Sequence, residues 1–352
     1  MKTIETLLES VKLNGGHEML LTPYSEPRVK TLGGWVPLET EKIDSKSVKN
    51  LLFSILNEQQ KIDLTQYGFI IGSVSIQSGL NISFKIIKNK LGFVGQIKEI
   101  ETTSNSKTKV FLTSNLKDQL LKCKGLIFLS GPACSGKTTL LSECIDFINQ
   151  NTNNYISLIE STVQNIHFSK ESILNQIEVG SNKMDESLWR SIENSDIIAV
   201  DLPFTSFNFE KAIEMSEAGK LVIMTIAVDE FSSLLNRVNQ FFVGAAQKYI
   251  IERWLKQMNV FVNLRLIQNQ FDDYSSAQEI IIFNDQIREF LRGSQLSEVY
   301  NYILNFGDKV GMKTLNQSIM NLYIKNKIHI KEAFANSPQP DELDKMIGDL
   351  GV

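Results

Sequence analysis

Eight consecutive residues constrain this chain more than any other feature: Gly131-Pro132-Ala133-Cys134-Ser135-Gly136-Lys137-Thr138 fits GxxxxGK[ST] in full. Average composition produces that pattern by chance in roughly 1% of chains this long, and the flanks here are the ones it requires. The apolar run Leu126-Ile127-Phe128-Leu129 precedes it as a buried strand would, and a helical pattern runs from Thr138 to Ile148. Glycines let such a backbone curl until successive N–H groups aim at phosphate oxygens, and the helix N-terminus adds positive potential. The stretch from Gly131 to Thr139 is therefore expected to cradle the phosphates of ATP. Lys137 should reach the β- and γ-phosphates, and Thr138 should place its hydroxyl on Mg²⁺.

After the loop, short apolar runs alternate with helical patterns. The strand candidates are Leu126–Ser130, Tyr155–Glu160, Ile197–Asp201 and Leu221–Ile226. Alternation of this kind predicts a largely parallel sheet covered by helices on both faces. The first hundred residues have a different texture. Ile4, Leu7, Leu8 and Val11 form one helical stripe stopped by Gly15-Gly16. Short strands are expected around Leu20-Leu21, Val29, Thr31 and Val36, and a helix over Val48–Leu56 with Leu51, Leu52, Ile55 and Leu56 on one face. Phe69–Ser75, Ile82–Ile87 and Gly95–Ile100 are rich in β-formers. Thr102–Thr108 holds no apolar residue and is the linker candidate. A chain of 352 residues suits two domains. The boundaries read as a domain over 1–101, a linker over 102–111 and a nucleotide-binding domain over 112–352.

Composition excludes several partners. A net charge of −4 provides no basic field for nucleic acid, and no apolar run approaches the length of a membrane span. The acidic, amphipathic start, Met1-Lys2-Thr3-Ile4-Glu5, is unlike a signal peptide. Cys123, Cys134 and Cys144 form no CxxC pair and have no histidine at ligand spacing, so three reduced thiols are expected in a cytoplasmic protein.

Beyond the phosphate loop, a series of segments resembles the type IV pilus retraction ATPases (PilT and PilU) of the secretion-ATPase superfamily. These are Glu5-Thr6-Leu7-Leu8 with Gly15-Gly16, Leu56-Asn57-Glu58-Gln59-Gln60, Gln176-Ile177-Glu178-Val179-Gly180 where the family usually has QREVG, Glu217-Ala218-Gly219, Ile287 to Gly293, and Gly311 to Ser318. The tail, Ala335-Asn336-Ser337-Pro338 with Asp341 and Leu343, is more similar to PilU than to PilT. The resemblance implies an α/β chain: an N-terminal PAS-like α+β domain followed by a RecA-like P-loop ATPase domain, with a C-terminal helical region. It further implies a six-membered ring, homomeric or mixed with a paralogous retraction ATPase. That ring would dock on the inner-membrane platform protein from the cytoplasmic face, with nucleotide between the two domains and arginines of the N-terminal domain reaching the γ-phosphate.

The chain departs from that family where hydrolysis is concerned. The catalytic carboxylate of the family's acidic box falls on Glu160, but the Asp-Pro that normally follows is Ser161-Thr162. A strand-end glutamate can orient the attacking water or can be simply solvated. Ile197-Ile198-Ala199-Val200 fits a Walker B strand, yet the family's Gly-Glu is Asp201-Leu202. Asp201 could hold Mg²⁺ through water or act as a turn or capping residue. The expected His-box histidine is Ala227, while His17 and His329 read as surface residues and His167 lies just past the acidic box. Asn81 and Ser83 stand where two arginines are expected, with Lys98 near another; a lysine lacks the planar fork of an arginine finger. Three readings follow: a slow motor ATPase using Glu160, Asp201, Lys137 and Thr138; a nucleotide-loaded ring subunit that couples an active ATPase to the platform; or unrelated P-loop chemistry such as a small-molecule kinase.

Overall fold

The computed structural model describes residues 3–31, 34–38, 41–76, 79–102, 112–180, 185–270 and 273–349. The chain forms two compact units. The first comprises Met1–Ser106 with Glu160–His167 and Gln176–Lys183, and the second comprises Lys107–Ile159, Phe168–Asn175 and Met184–Val352. The two segments after residue 159 that join the first unit are not foreshadowed by the sequence.

In the first unit the elements are α1 (Ile4–Leu13), β1 (Glu18–Leu21), β2 (Arg28–Thr31), β3 (Gly34–Pro37), α2 (Ser45–Ser54), α3 (Glu58–Tyr67), β4 (Phe69–Ser75), β5 (Asn81–Asn89), β6 (Gly92–Glu99) and β7 (Glu101–Thr102). Six of the strands form an antiparallel sheet in the order β3-β2-β1-β6-β5-β4. Helix α1 begins where Thr3 and Thr6 cap each other reciprocally, and it buries the predicted stripe of Ile4, Leu7, Leu8 and Val11. Its Gly15-Gly16 stop serves two purposes. Gly15 takes φ +67°, and a Cβ on Gly16 would lie 2.0 Å from Val29 Cγ2. Val48 and Leu52 of α2 are buried, while Ile55 and Leu56 enter the core just beyond the helix end. This is the α+β unit that the resemblance implies. The proposed linker lies outside the described residues except for Thr102, which closes β7.

The chain continues through α4 (Ser114–Leu120), β8 (Gly125–Ser130), α5 (Lys137–Asn151), β9 (Tyr155–Glu160), β10 (Asn165–Ile166), β11 (Ile173–Glu178), α6 (Glu186–Ser191), β12 (Ile197–Asp201), α7 (Ser206–Glu217), β13 (Leu221–Ile226), α8 (Phe231–Phe241), α9 (Ala245–Gln257), β14 (Met258–Gln268) and β15 (Tyr274–Ile282). It ends in helices α10 (Asp285–Arg292), α11 (Leu296–Val310), α12 (Leu315–Ile324), α13 (Ile330–Asn336) and α14 (Pro340–Gly348). Strand β10 pairs parallel with β7 in the first unit. A seven-stranded sheet runs in the order β11-β9-β12-β13-β8-β14-β15; β12–β13, β13–β8 and β8–β14 are parallel, and β14–β15 is antiparallel. Every residue of β8 and β13 is buried, which is why these strands read as near-continuous apolar runs. Leu140, Leu141, Cys144, Ile145 and Ile148 of α5 pack into the same core as Ile127, Leu129, Ile197 and Ile223.

The opposite face of the sheet buries a carboxylate on β15. Glu279 is 3% exposed, and burial pushes its pKa up to about 7, with Glu230 adding repulsion and hydrogen bonds from Asn263 and Tyr300 opposing it. The unfolded chain would lose this proton near pH 4.5, whereas the folded one keeps it until about pH 7. Stability therefore falls as pH rises through that window and levels off above it. At about 1.4 kcal/mol per pH unit the loss amounts to about 3 kcal/mol. Glu279→Gln, neutral and nearly isosteric, should match the wild type at pH 4.5 and exceed it by about that much at pH 8. Urea unfolding at the two pH values measures the difference.

Candidate nucleotide site

The loop between β8 and α5 has a geometry that depends on its glycines. Gly131 takes φ +148°, and a Cβ there would lie 2.6 Å from the Leu264 carbonyl oxygen on β14 and 2.3 Å from Ser135 Oγ. Gly136, at φ +92°, opens α5. Cys134 sits exposed on the loop, also at positive φ, and its thiol is free. Ser135 is buried, and its hydroxyl has no hydrogen-bond partner among the described residues. The Lys137 ammonium donates to the carbonyl oxygens of Gly131 at 2.9 Å and Pro132 at 2.6 Å. Burial lowers its pKa from the ordinary lysine value, against the attraction of Asp201. Gly131→Ala places a side chain against backbone at a φ that costs about 1–3 kcal/mol. We expect a fall of a few degrees in melting temperature together with weakened ATP affinity, as read by thermal unfolding with and without nucleotide.

Asp201 is neither a turn residue nor a cap. The cap of α7 is Thr205, whose side chain accepts from Asn208 N–H. Asp201 Oδ2 instead accepts from Thr138 Oγ1 at 2.8 Å, and its Oδ1 accepts from the hydroxyl of Thr225. Strand order explains the arrangement. Strand β13 lies between β8 and β12, so Thr225 near its end reaches the carboxylate of β12 while that carboxylate reaches the first turn of α5. No sequence motif marks Thr225. Its one signal is that it is the hydroxyl-bearing residue in an otherwise apolar run, Leu221-Val222-Ile223-Met224-Thr225-Ile226.

Glu160 ends β9 and belongs to the first unit. It is 4% exposed, which sets aside the solvated strand-end alternative, and its Oε2 accepts from Gln176 Nε2 at 2.6 Å. The same amide donates to the Asn165 carbonyl at 2.8 Å, so Gln176 ties the carboxylate to the start of β10. Glu178 performs a second bracing task. Its two oxygens accept from Ser73 N–H at 2.8 Å and from Val163 N–H at 2.9 Å. His167 is buried within this unit, whereas His17 and His329 are exposed as expected. Lys98 Nζ donates to Gln164 Oε1 at 3.5 Å, and Ser83 is buried on β5. Leu202 is buried and Ala227 exposed, neither offering a titratable group.

A parallel sheet that delivers a glycine loop to a helix N-terminus, with a strand-end aspartate bonded to the loop's threonine, defines a P-loop nucleotide-binding fold. Residues 60–194 match the family described as Type II/IV secretion system protein. The chain is 23% identical to the type IV pilus ATPase PilU of Pseudomonas aeruginosa, over 97% of this chain and 91% of that protein. It is also 23% identical to that organism's type IV pilus retraction ATPase PilT, over 97% and 99% respectively. A crystal structure of the pilus retraction motor PilT with bound ADP superposes with a TM-score of 0.86 at 23% identity, covering 98% of this chain and 100% of that one. The ATPase DotB of Legionella pneumophila superposes with a TM-score of 0.76 at 13% identity, over 94% of each chain. The resemblance to type IV pilus ATPases carried by the motifs thus extends over nearly the whole chain.

Proposed function

We propose that this protein is an ATP-binding, motor-type ATPase of a type IV pilus machine that supports pilus retraction as an accessory subunit with weak hydrolysis. The observation that carries the reading is a split within one site. Lys137, Thr138 and Asp201 are assembled around the glycine loop, while Leu202 and Ala227 occupy positions where the family has a carboxylate and a histidine. The likeness to PilU and PilT over nearly the full chain supplies the pilus context.

On binding ATP, Lys137 would exchange the Gly131 and Pro132 carbonyls for β- and γ-phosphate oxygens, and the unpartnered Ser135 hydroxyl offers the cradle a further donor. Thr138 Oγ1 and Asp201 Oδ2 form an all-oxygen pair of the kind a hard divalent cation prefers, with Asp201 acting in part through water. Mg²⁺ held there would neutralise charge on the β- and γ-oxygens. Such turnover as remains is assigned to Glu160, orienting the attacking water. With the second carboxylate replaced by Leu202 and the arginine positions by Asn81 and Ser83, that turnover is expected to be slow.

The working form in this proposal is a six-membered ring, homomeric or mixed with an active paralogue. It would be cytoplasmic and peripheral to the inner membrane, where it meets the platform protein. Bound nucleotide can bias a two-state ring without being cleaved, provided the two states bind it differently. Complementation of a gene deletion tests this. With the active partner present, Glu160→Gln should restore twitching and Lys137→Ala should not. Failure of Glu160→Gln, with rescue by wild type in the absence of any partner ATPase, would make the chain a motor in its own right.

A further inference from the structure

A cavity of about 270 Å³ opens in the second unit between the N-terminus of α8, strands β14 and β15, and helices α11, α12 and α14. Its charged lining is all of one sign. Glu230, Glu279 and Glu342 all face it, together with Asn263. Glu279 is buried on β15 and accepts from the Tyr300 hydroxyl and, at 3.4 Å, from Asn263 Nδ2. Glu342 Oε2 accepts from Asn316 Nδ2 at 2.7 Å, and Glu230 Oε2 accepts from Ser232 Oγ at 2.9 Å. Arg265, two residues along β14 from Asn263, attracts Glu279 only weakly, the least of the influences on that carboxylate.

Asn263 is itself short of a partner. Its side chain is fully buried, and its Nδ2 is already engaged with the Asp229 carbonyl at 2.7 Å. Its Oδ1 has no hydrogen-bond partner among the described residues. A buried amide oxygen left unbonded is unfavourable, and it lacks a donor specifically. The cavity therefore presents negative charge and a free acceptor, with Leu296, Leu315 and Pro338 as an apolar wall. No cluster of His, Cys, Asp and Glu among the described residues could hold a metal ion, and the volume suits a small organic group.

We propose that this cavity binds an alkylammonium group, its N–H donors on Glu279 and Asn263 Oδ1 and its methylenes against Leu296 and Leu315. Two sources share that chemistry: a free diamine, or a lysine side chain of another polypeptide. Because Glu279 carries a proton up to about pH 7, the incoming cation displaces it, with Glu230, Glu342, Tyr300 and Arg265 as the other titratable or charged groups near the site.

Calorimetric titration of the full chain with putrescine and with Nα-acetyl-lysinamide tests the proposal. Either should bind about tenfold more tightly at pH 8 than at pH 6, with a heat that depends on the buffer's ionisation. A preference for putrescine identifies a free diamine as the source, and equal or better binding of the lysine mimic identifies a polypeptide side chain. Glu279→Gln should weaken binding at least tenfold at pH 8. Glu342→Gln, at another wall of the cavity, should weaken it as well and keeps the test decisive if the first variant does not fold. The proposal is overturned if neither cation binds the wild type, if affinity is the same at both pH values, or if the folded variants bind as the wild type does.

Discussion

Lys137→Ala should lower the affinity for MgATP by a hundredfold or more while leaving the fold intact. Lys137 makes two hydrogen bonds to loop carbonyls in the nucleotide-free arrangement, and each would be exchanged for a bond to a phosphate oxygen. Hydrogen bonds to charged groups contribute about 1.5–3 kcal/mol each, so losing two costs about 3–6 kcal/mol. That is a factor of about 10² to 10⁴ in dissociation constant. The fold is spared because the lysine anchors no core element and is half-buried at the start of α5. Isothermal calorimetry measures the affinity, and the melting temperature without nucleotide reports the fold. Unchanged affinity would remove the phosphate-loop assignment.

The second large effect is expected at Glu160. General-base assistance contributes about 10² to 10⁴ in rate, so Glu160→Gln should bring an already slow turnover to the background while ATP stays bound. The substitution is conservative locally, because a glutamine carbonyl can still accept from the Gln176 amide that now donates to Glu160 Oε2. A Glu160→Gln protein that binds ATP and hydrolyses it at the wild-type rate would show that this carboxylate braces the turn and takes no part in chemistry. Gln176→Ala gives a useful contrast: it should leave the charge of Glu160 in place but loosen its position, lowering the rate less than Glu160→Gln does.

Much of the second unit was legible because its central strands are buried on both faces. Short, largely apolar runs mark β9, β12 and β13 to the residue, and the glycine pattern places the turn into α5. Strands β14 and β15 are less legible. Their runs are interrupted by the half-buried Arg265 and by Asn263, Gln278 and Glu279, polar residues buried under helices that come later in the chain. Within the site, Lys137 and Thr138 were legible from a local motif. The role of Asp201 was open between a cap, a turn and a metal ligand, because only the sheet order brings it to Thr138, 63 residues away. No motif assigns a role to Thr225 or Glu178. Glu178 bonds an amide 105 residues distant, and no spacing in the sequence encodes that meeting.

The split between binding and chemistry is tested most directly by one paired measurement on the purified wild type: ATP affinity and steady-state turnover, side by side with the Pseudomonas aeruginosa PilT protein. The expected result is comparable ATP affinity with turnover at least about tenfold lower, since an arginine finger alone contributes about 10³–10⁵ in related chemistry. Turnover equal to that of PilT would contradict it, and Leu202, Ala227, Asn81 and Ser83 would then mark positions the reaction does not need.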